Sequence, residues 1–507
     1  MNVRPGAANS IGQLDMSRVV LVSNRVLDLR KAAQAGGVAV ALADIIRTRP
    51  SLWFGWNGEI TSLDEANLVT REGRVITVPL TSDEHDRYYL GYSNSVLWPV
   101  FHNRLDLAQF DAGYFEQYIG VNRRLATLLQ PMLRADDIIW VHDYHLIPLA
   151  IELRKLGVQN RIGFYLHIPF PPWQTFIAIP EHEQLARALA AYDLIGLQTK
   201  SDVASFIDYT VNSAFGSVLS DGRIRLFERL VTVAAFPIGI DTADFANPKR
   251  DSGLVQGRGV SRIVGVDRLD YSKGLPQKFR AFGRFLEKYP QYRSQVVLTQ
   301  IAPPTRESVE AYLGIRQELE SLAGHINGHF GEIDWVPIHY IHRSSPRRRL
   351  AGIYRSARIG MVTPLRDGMN LVAKEYVASQ DPADPGVLVL SRFAGAAEEL
   401  EAALIVNPYD IEAVAEVIRS AMEMSLDDRK ARHRALMTTI EKNDIHFWCQ
   451  SFLAALSRMS SPDDPITWSQ PEPIRNALEN LRRATTPRRV PARRGSEALA
   501  TDLPPSA

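Results

Sequence analysis

Apolar runs of strand length alternate with longer stretches whose apolar positions recur every three to four residues, beginning near the start of this 507-residue chain. Arg18-Val19-Val20-Leu21-Val22-Ser23-Asn24 reads as a strand. A polar loop and the pair Gly36-Gly37 then lead into an apolar-periodic helix through about residue 47, and Trp53-Phe54-Gly55-Trp56 reads as a second short strand. Strand, glycine turn, helix, strand is the opening of a parallel α/β unit. Buried strands are predicted over 137–141 and 162–166 with a helix over 146–156 between them, and the rhythm continues over 193–199 and 231–240. Residues 241–259 turn polar and rich in Gly, Pro, Asp and Lys, the composition of a linker. A second alternation follows. Strand 263–266 precedes a helix carrying Leu275, Phe279, Phe282, Leu286 and Tyr289 on one face. Strand 296–301, helix 308–326, strand 335–341, helix 347–356, strand 359–363 and helix 371–379 come next. Strands over 387–390 and 404–406 and a helix over 411–424, with Asp410 at its N-cap, complete the pattern.

The pattern predicts an α/β protein built from two doubly wound parallel sheets with a crevice between them. The expected organisation is a flexible tail over 1–16, an N-terminal domain over 17–245 and a C-terminal domain over 246–459, whose last helix, about 440–457, packs back on the first domain. Residues 460–507 lose the pattern and read as a disordered tail; 481–494 hold six arginines and no acid, with Pro487 and Pro491 among them. Composition removes other classes. Lys and Arg number 58 against 57 Asp and Glu, so no global field calls for nucleic acid or an anionic membrane surface. No apolar run approaches the roughly 20 residues of a membrane span, and the first 17 residues lack the apolar segment of a secretory signal. A single cysteine, Cys449, suits a reducing compartment. A soluble, cytoplasmic protein is expected.

Candidate chemistry gathers where predicted strands end. Arg366-Asp367-Gly368-Met369-Asn370 hands a strand over to a helix, and the first amides of a helix lack internal partners at the positive end of its dipole. A phosphate could bind there, with Gly368 permitting close approach to the backbone. Asp367 would face what hangs from the phosphate, and Glu375, two turns in, could take a ribose diol. The residues alone also fit an ordinary corner with a solvated acidic pair. Asp143 and His167 follow other strands and would converge on the same crevice. His142, Asp143 and His145 match no standard metal spacing, so no metal is expected.

Taken together, Trp53-Phe54-Gly55-Trp56, Val141-His142-Asp143-Tyr144-His145-Leu146, Tyr165-Leu166-His167-Ile168-Pro169-Phe170-Pro171, Arg268-Leu269-Asp270-Tyr271-Ser272-Lys273-Gly274 and 364–376 resemble the trehalose-6-phosphate synthase family of the bacterial osmoregulatory type, in order and at matching spacing from about 18 to about 456. The resemblance implies two Rossmann-like domains in the GT-B arrangement and a retaining transfer of glucose from UDP-glucose to glucose 6-phosphate, in trehalose biosynthesis and osmoprotection. It implies no cofactor, a homo-oligomer (dimer or tetramer), and a separate trehalose-phosphate phosphatase as pathway partner. Carried over by motif, His167, Asp367, Arg268 and Lys273 form the catalytic set. Gly36, Gly37, Gly368, Met369, Asn370, Leu371, Val372 and Glu375 join them around the donor, and Arg25, Trp53, Tyr89, Trp98, Asp143 and Arg306 form the acceptor pocket. Arg25 and Arg306 would hold the acceptor phosphate from opposite walls.

Two departures stand against the family pattern: a loop over 26–35 shorter than usual beside the site, and the unmatched tail. Two competing functions are a sister transferase using glycerol 3-phosphate, against which Trp53, Tyr89 and Trp98 argue, and a silent regulatory subunit, against which intact Arg268, Lys273 and Glu375 argue.

Overall fold

The structure is a computed structural model that describes residues 17–459, apart from 27–41, 43, 44, 48, 214, 247–258, 307 and 308. Gly36, Gly37, most of the 26–35 loop and both tails therefore lie outside the described residues.

The first sheet opens with β1 (Val19–Arg25), β2 (Ser51–Thr61), β3 (Thr70–Glu72) and β4 (Val75–Thr81). It continues with β5 (Ile138–His142), β6 (Arg161–Tyr165), β7 (Leu194–Leu197), β8 (Gly216–Val218), β9 (Ile224–Leu226) and β10 (Arg229–Ala235). Its spatial order is β3-β4-β2-β1-β5-β6-β7-β10-β9-β8, parallel from β4 to β10 and antiparallel at both edges. The second sheet comprises β11 (Ser261–Val266), β12 (Val296–Ile301), β13 (Ile338–Ile341), β14 (Ile359–Val362), β15 (Val387–Ser391) and β16 (Leu404–Val406). Its order is β13-β12-β11-β14-β15-β16, parallel throughout. Every residue of β5, β14 and β15 is buried, as a strand covered by helices on both faces requires. Strand order reverses between β1 and β5 and between β11 and β14, and a doubly wound sheet opens a ligand crevice at the carboxyl ends beside such a reversal. Both sheets belong to one compact unit that takes in the described residues other than 220–222.

Several elements differ from the sequence reading. The second strand runs from Ser51 to Thr61, buried over its first half and exposed toward its end. The predicted helix after β5 is shortened by a 3-10 turn, Tyr144–Leu146, and by Pro148, and spans Leu149–Lys155. The long helix after β12 is Glu310–Phe330. The hairpin β8-β9 and the stretch between β4 and β5 carried no clear period; that stretch holds His85–Leu97, wound as a π-helix, followed by Trp98–Phe101. Asp410 does cap its helix, accepting from the Ala413 amide at 2.9 Å.

The last described helix, Ile445–Ser457, returns to the first sheet. The Phe452 ring stacks on Trp140 at 4.5 Å and meets Tyr165 and Phe236 edge-on. It occupies room left by two glycines: a Cβ at Gly163 would stand 2.8 Å from the ring, and one at Gly196 2.7 Å. Among the described residues no helix is long and apolar enough to cross a membrane.

Candidate active site

A cavity of about 680 Å³ lies at the carboxyl ends of both sheets. Arg25, Trp53, Tyr89, Trp98, Asp143 and His167 line it from the first domain; Arg268, Lys273, Arg306, Asp367, Met369, Asn370, Leu371, Val372 and Glu375 line it from the second. Gly368 is not among the lining residues. The space its Cβ would take is filled by the His167 carbonyl oxygen, 2.2 Å away, so this glycine admits protein backbone from the opposite wall.

Three lining residues in the loops that follow strands hold positive φ: Asp143, next after β5, at +76°, Arg306 at +50° and Asn370, next before the helix Leu371–Ala378, at +75°. Such conformations cost of the order of 1–3 kcal/mol each and persist where their surroundings hold them. Asp143 donates its amide to the Tyr165 carbonyl at 2.8 Å, and its Oδ1 accepts from the His167 amide at 3.2 Å. Asn370 turns its side-chain amide to Asp367 Oδ2, 3.0 Å away, and makes no side-chain cap on the helix Leu371–Ala378 that it precedes.

Charges face each other across short gaps. Lys273 Nζ sits 2.5 Å from Asp367 Oδ2. Lys273 closes a 3-10 turn begun by Asp270, whose carboxylate accepts from the Ser272 amide at 2.9 Å; the Ser272 carbonyl in turn accepts from the Leu365 amide at 2.7 Å, tying the loop that bears Lys273 to the loop that leads to Asp367. Asp270 is wholly buried. Burial works to raise its pKa, but Arg306, Arg268, His102 and Lys273 outweigh it and hold the carboxyl at about 2. Asp143 goes the other way: burial lifts it to about 6 against the pull of neighbouring amides, Arg268 and Arg306. Burial also lowers His102 to about 4 and His167 to about 3, so both are neutral imidazoles at neutral pH. His167 Nε2 lies 3.2 Å from His142 Nδ1, itself held well down by burial and by His167. Burial raises Glu375, while Arg347 and a 3.5 Å contact from the Tyr354 hydroxyl oppose it.

Arg306 does not wait free in the crevice. Its Nη1 donates to the Tyr312 hydroxyl (2.7 Å), and its Nη2 reaches across to the Tyr144 hydroxyl of the first domain (3.1 Å). The guanidinium lies 4.1 Å from the Trp98 ring centre, with Arg268 at 5.4 Å. Arg25 packs over Trp56 at 5.4 Å. Trp53 donates its indole N–H to Ser23 Oγ at 2.8 Å, leaving its ring as wall. Among the described residues, no three or more His, Cys, Asp or Glu side chains cluster as metal ligands.

Sequence reading gave no role to His102, Tyr144, Asp270, Tyr312, Ser344, Ser345 or Arg347. Asp270 and Tyr144 stood inside the quoted motifs, and that was the available signal; of the others, His102 caps the helix Trp98–Phe101, Tyr312 lies in the helix Glu310–Phe330, Ser344 and Ser345 lie in a loop, and Arg347 opens the helix Arg347–Ser356.

The chain matches glycosyltransferase family 20 over residues 13–458. It is 47% identical over 455 residues to the trehalose-6-phosphate synthase of Sodalis glossinidius, covering 88% of this chain and 97% of the relative. Among solved structures it is similar to the UDP-forming alpha,alpha-trehalose-phosphate synthase of Burkholderia xenovorans in complex with glucose-6-phosphate, at 47% identity and a TM-score of 0.82, covering 87% of this chain and 100% of that one. An Escherichia coli structure bound with UDP-2-fluoro glucose is similar at 45% identity and a TM-score of 0.84, covering 88% of this chain and 100% of that one.

Proposed function

Because the chain belongs to glycosyltransferase family 20, we propose that it transfers glucose from UDP-glucose to glucose 6-phosphate, giving α,α-trehalose 6-phosphate with retention at the anomeric carbon. The observation that carries this is one cavity with two unlike walls. On the C-terminal wall, Arg268, Lys273 and an uncapped helix N-terminus meet at the strand reversal; on the N-terminal wall, Tyr89, Trp98 and Trp53 offer aromatic faces suited to a sugar ring.

In this reading Arg268, Lys273 and the amides at Leu371 and Val372 bind the diphosphate and stabilise the charge that grows as it leaves. Glu375 takes the ribose; the family resemblance assigns Gly36 and Gly37, which lie outside the described residues, to donor binding as well. Asp367, oriented by Lys273 and Asn370, accepts hydrogen bonds from the transferred glucose. His167 is neutral and serves as a hydrogen-bonding partner, not as an acid. Arg25, Trp53, Tyr89, Trp98, Asp143 and Arg306 receive the acceptor. The C1–O bond to the phosphate breaks while the acceptor hydroxyl forms its bond to C1 on the same face, and the departing phosphate oxygen takes the hydroxyl proton. No covalent glucosyl-enzyme intervenes. A retaining glycosidase uses two carboxylates roughly 5 Å apart, whereas here Asp367 is engaged by Lys273 and Asn370, and Glu375 by Tyr354.

The test is a panel of UDP-, GDP- and ADP-glucose against glucose 6-phosphate and glycerol 3-phosphate, run with and without chelator. Trehalose 6-phosphate should form best from UDP-glucose and should not depend on added metal. Turnover with glycerol 3-phosphate alone, or with no pair at all, would refute the assignment.

A further inference from the structure

We propose that Glu398, which lies outside the substrate cavity, is a positioning residue that holds the two crevice walls in register and so sets how often His167 and Asp367 face one another. Its kinetic consequences rest on the transferase reading above; its physical consequence does not.

Glu398 ends a 3-10 turn, Gly395–Glu398, that follows β15 in the second domain. Its carboxylate crosses to the first domain and accepts from the Lys200 amide (3.0 Å), the Ser201 amide (3.2 Å) and the Ser201 hydroxyl (2.5 Å). Those amides begin the helix Lys200–Asn212, so they have no partner within it and sit at the positive end of its dipole. A carboxylate supplied by the other domain therefore completes this helix end. The same seam carries Arg366, whose Nη2 donates to the Phe170 carbonyl at 3.2 Å. It is also packed closely: a Cβ on Gly395 would stand 2.8 Å from the Thr199 methyl.

Both ends of the contact are fastened to reacting-site residues. On one side the Gly395 amide donates to the Asp367 carbonyl (3.1 Å), the Ala396 amide to the Met369 carbonyl (2.8 Å) and the Asp367 amide to the Phe393 carbonyl (3.1 Å), so the turn bearing Glu398 and the turn bearing Asp367 move as one. On the other side Asp202, in the first turn of the helix, accepts from the Phe170 amide at 2.9 Å, three residues beyond His167. Separating Glu398 from Ser201 therefore separates Asp367 from His167. The neighbouring acid has a different place: Glu399 is paired with buried Lys374 at 2.6 Å, and Lys374 also donates to the Ile238 carbonyl at 2.8 Å near the domain junction. Glu398 is exposed, so its contact is made in water, is screened by salt and can break on each opening.

Glu398→Ala, Glu398→Gln and Glu398→Lys, with Ser201→Ala, test this. A crevice closed for a smaller fraction of the time weakens both substrates by the same factor, so Glu398→Ala should raise KM for donor and acceptor together by about two- to fivefold, the worth of an exposed charge at a helix end. Its kcat at saturation should change less, Glu398→Lys should go further in the same direction, and Glu398→Gln should fall between. The KM ratio of variant to wild type should shrink toward one in 1 M salt. Small-angle scattering of the ligand-free proteins supplies the arm independent of activity: Glu398→Lys should have the larger radius of gyration. Wild-type KM values together with unchanged scattering in Glu398→Lys would overturn the proposal, as would a fall in kcat and Tm with both KM values kept, which marks a purely structural residue. If wild type lacked transferase activity but the scattering difference appeared, the functional reading would fail and the positioning role of Glu398 would stand.

Discussion

Replacing Arg306 by Ala removes a cation at the head of two relays. Its side chain is 7% exposed, and both hydroxyls that accept from it pass their own protons on: Tyr312 to Asp270 Oδ2 and Tyr144 to Asn94 Oδ1, each at 2.9 Å. A guanidinium has five N–H groups, so those not turned to the tyrosines remain for an acceptor phosphate. A charge-assisted hydrogen bond lost at such a site costs roughly 1.5–3 kcal/mol, which raises the acceptor KM by about one to two orders of magnitude. Donor affinity should hardly move, because Arg268 and Lys273 remain. The assay is initial rate against glucose 6-phosphate at saturating UDP-glucose, with UDP binding measured by calorimetry in parallel. Arg306→Lys should not restore activity, since an ammonium cannot span Tyr144 and Tyr312 as the planar fork does. A second readout is acid stability. Asp270 is held below its unfolded value, so it contributes stability above about pH 4 that is lost as pH falls toward about 2. Without Arg306 that loss starts at higher pH, and the acid-unfolding midpoint should shift upward. A variant that lost UDP binding while keeping its acceptor KM would refute the reasoning.

Two further outcomes follow from the same geometry. With Asp143 lifted by burial to about 6, kcat/KM should fall as pH drops below about 6, and Asp143→Asn should lack that limb; a raised carboxyl penalises the fold while ionised, so Asp143→Asn should also melt above wild type at pH 8 and lose that advantage toward pH 4, as a melting series would read. Phe452→Ala empties the space over Gly163 and Gly196 and should cost about 3–5 kcal/mol, visible as an earlier unfolding midpoint in denaturant.

The strands and their order of appearance were legible because parallel strands covered on both faces leave unbroken apolar runs, as in Ile138-Ile139-Trp140-Val141 and Val387-Leu388-Val389-Leu390. One helix start was equally plain, at Asp410, whose side chain caps the helix it precedes. The π-helix His85–Leu97 was not, because its winding matches neither period, although Tyr89 within it came through the family resemblance. The cavity-lining residues carried by motifs converge, apart from Gly368, which faces protein, and Gly36 and Gly37, which lie outside the described residues. What the chain could not disclose was pairing across the crevice. That Arg306 spends its donors on Tyr144, that Lys273 meets Asp367 and that Glu398 finishes a helix 197 residues away are products of tertiary approach, with no trace in local composition.

The return of Ile445–Ser457 to the first sheet bears on how the protein is made. Strand β10 ends at Ala235, yet the ring that fills the gap over Gly163 and Gly196, that of Phe452, arrives 217 residues later. At a translation rate of roughly 5–20 residues per second, the first domain waits on the order of 10–40 seconds on the ribosome with Trp140 and Tyr165 uncovered. During that interval a bare apolar groove is open to chaperones and to other nascent chains. The first domain should therefore be a poor autonomous folder when expressed alone, and a stop codon ahead of Trp448 should harm the half of the molecule that was synthesised first.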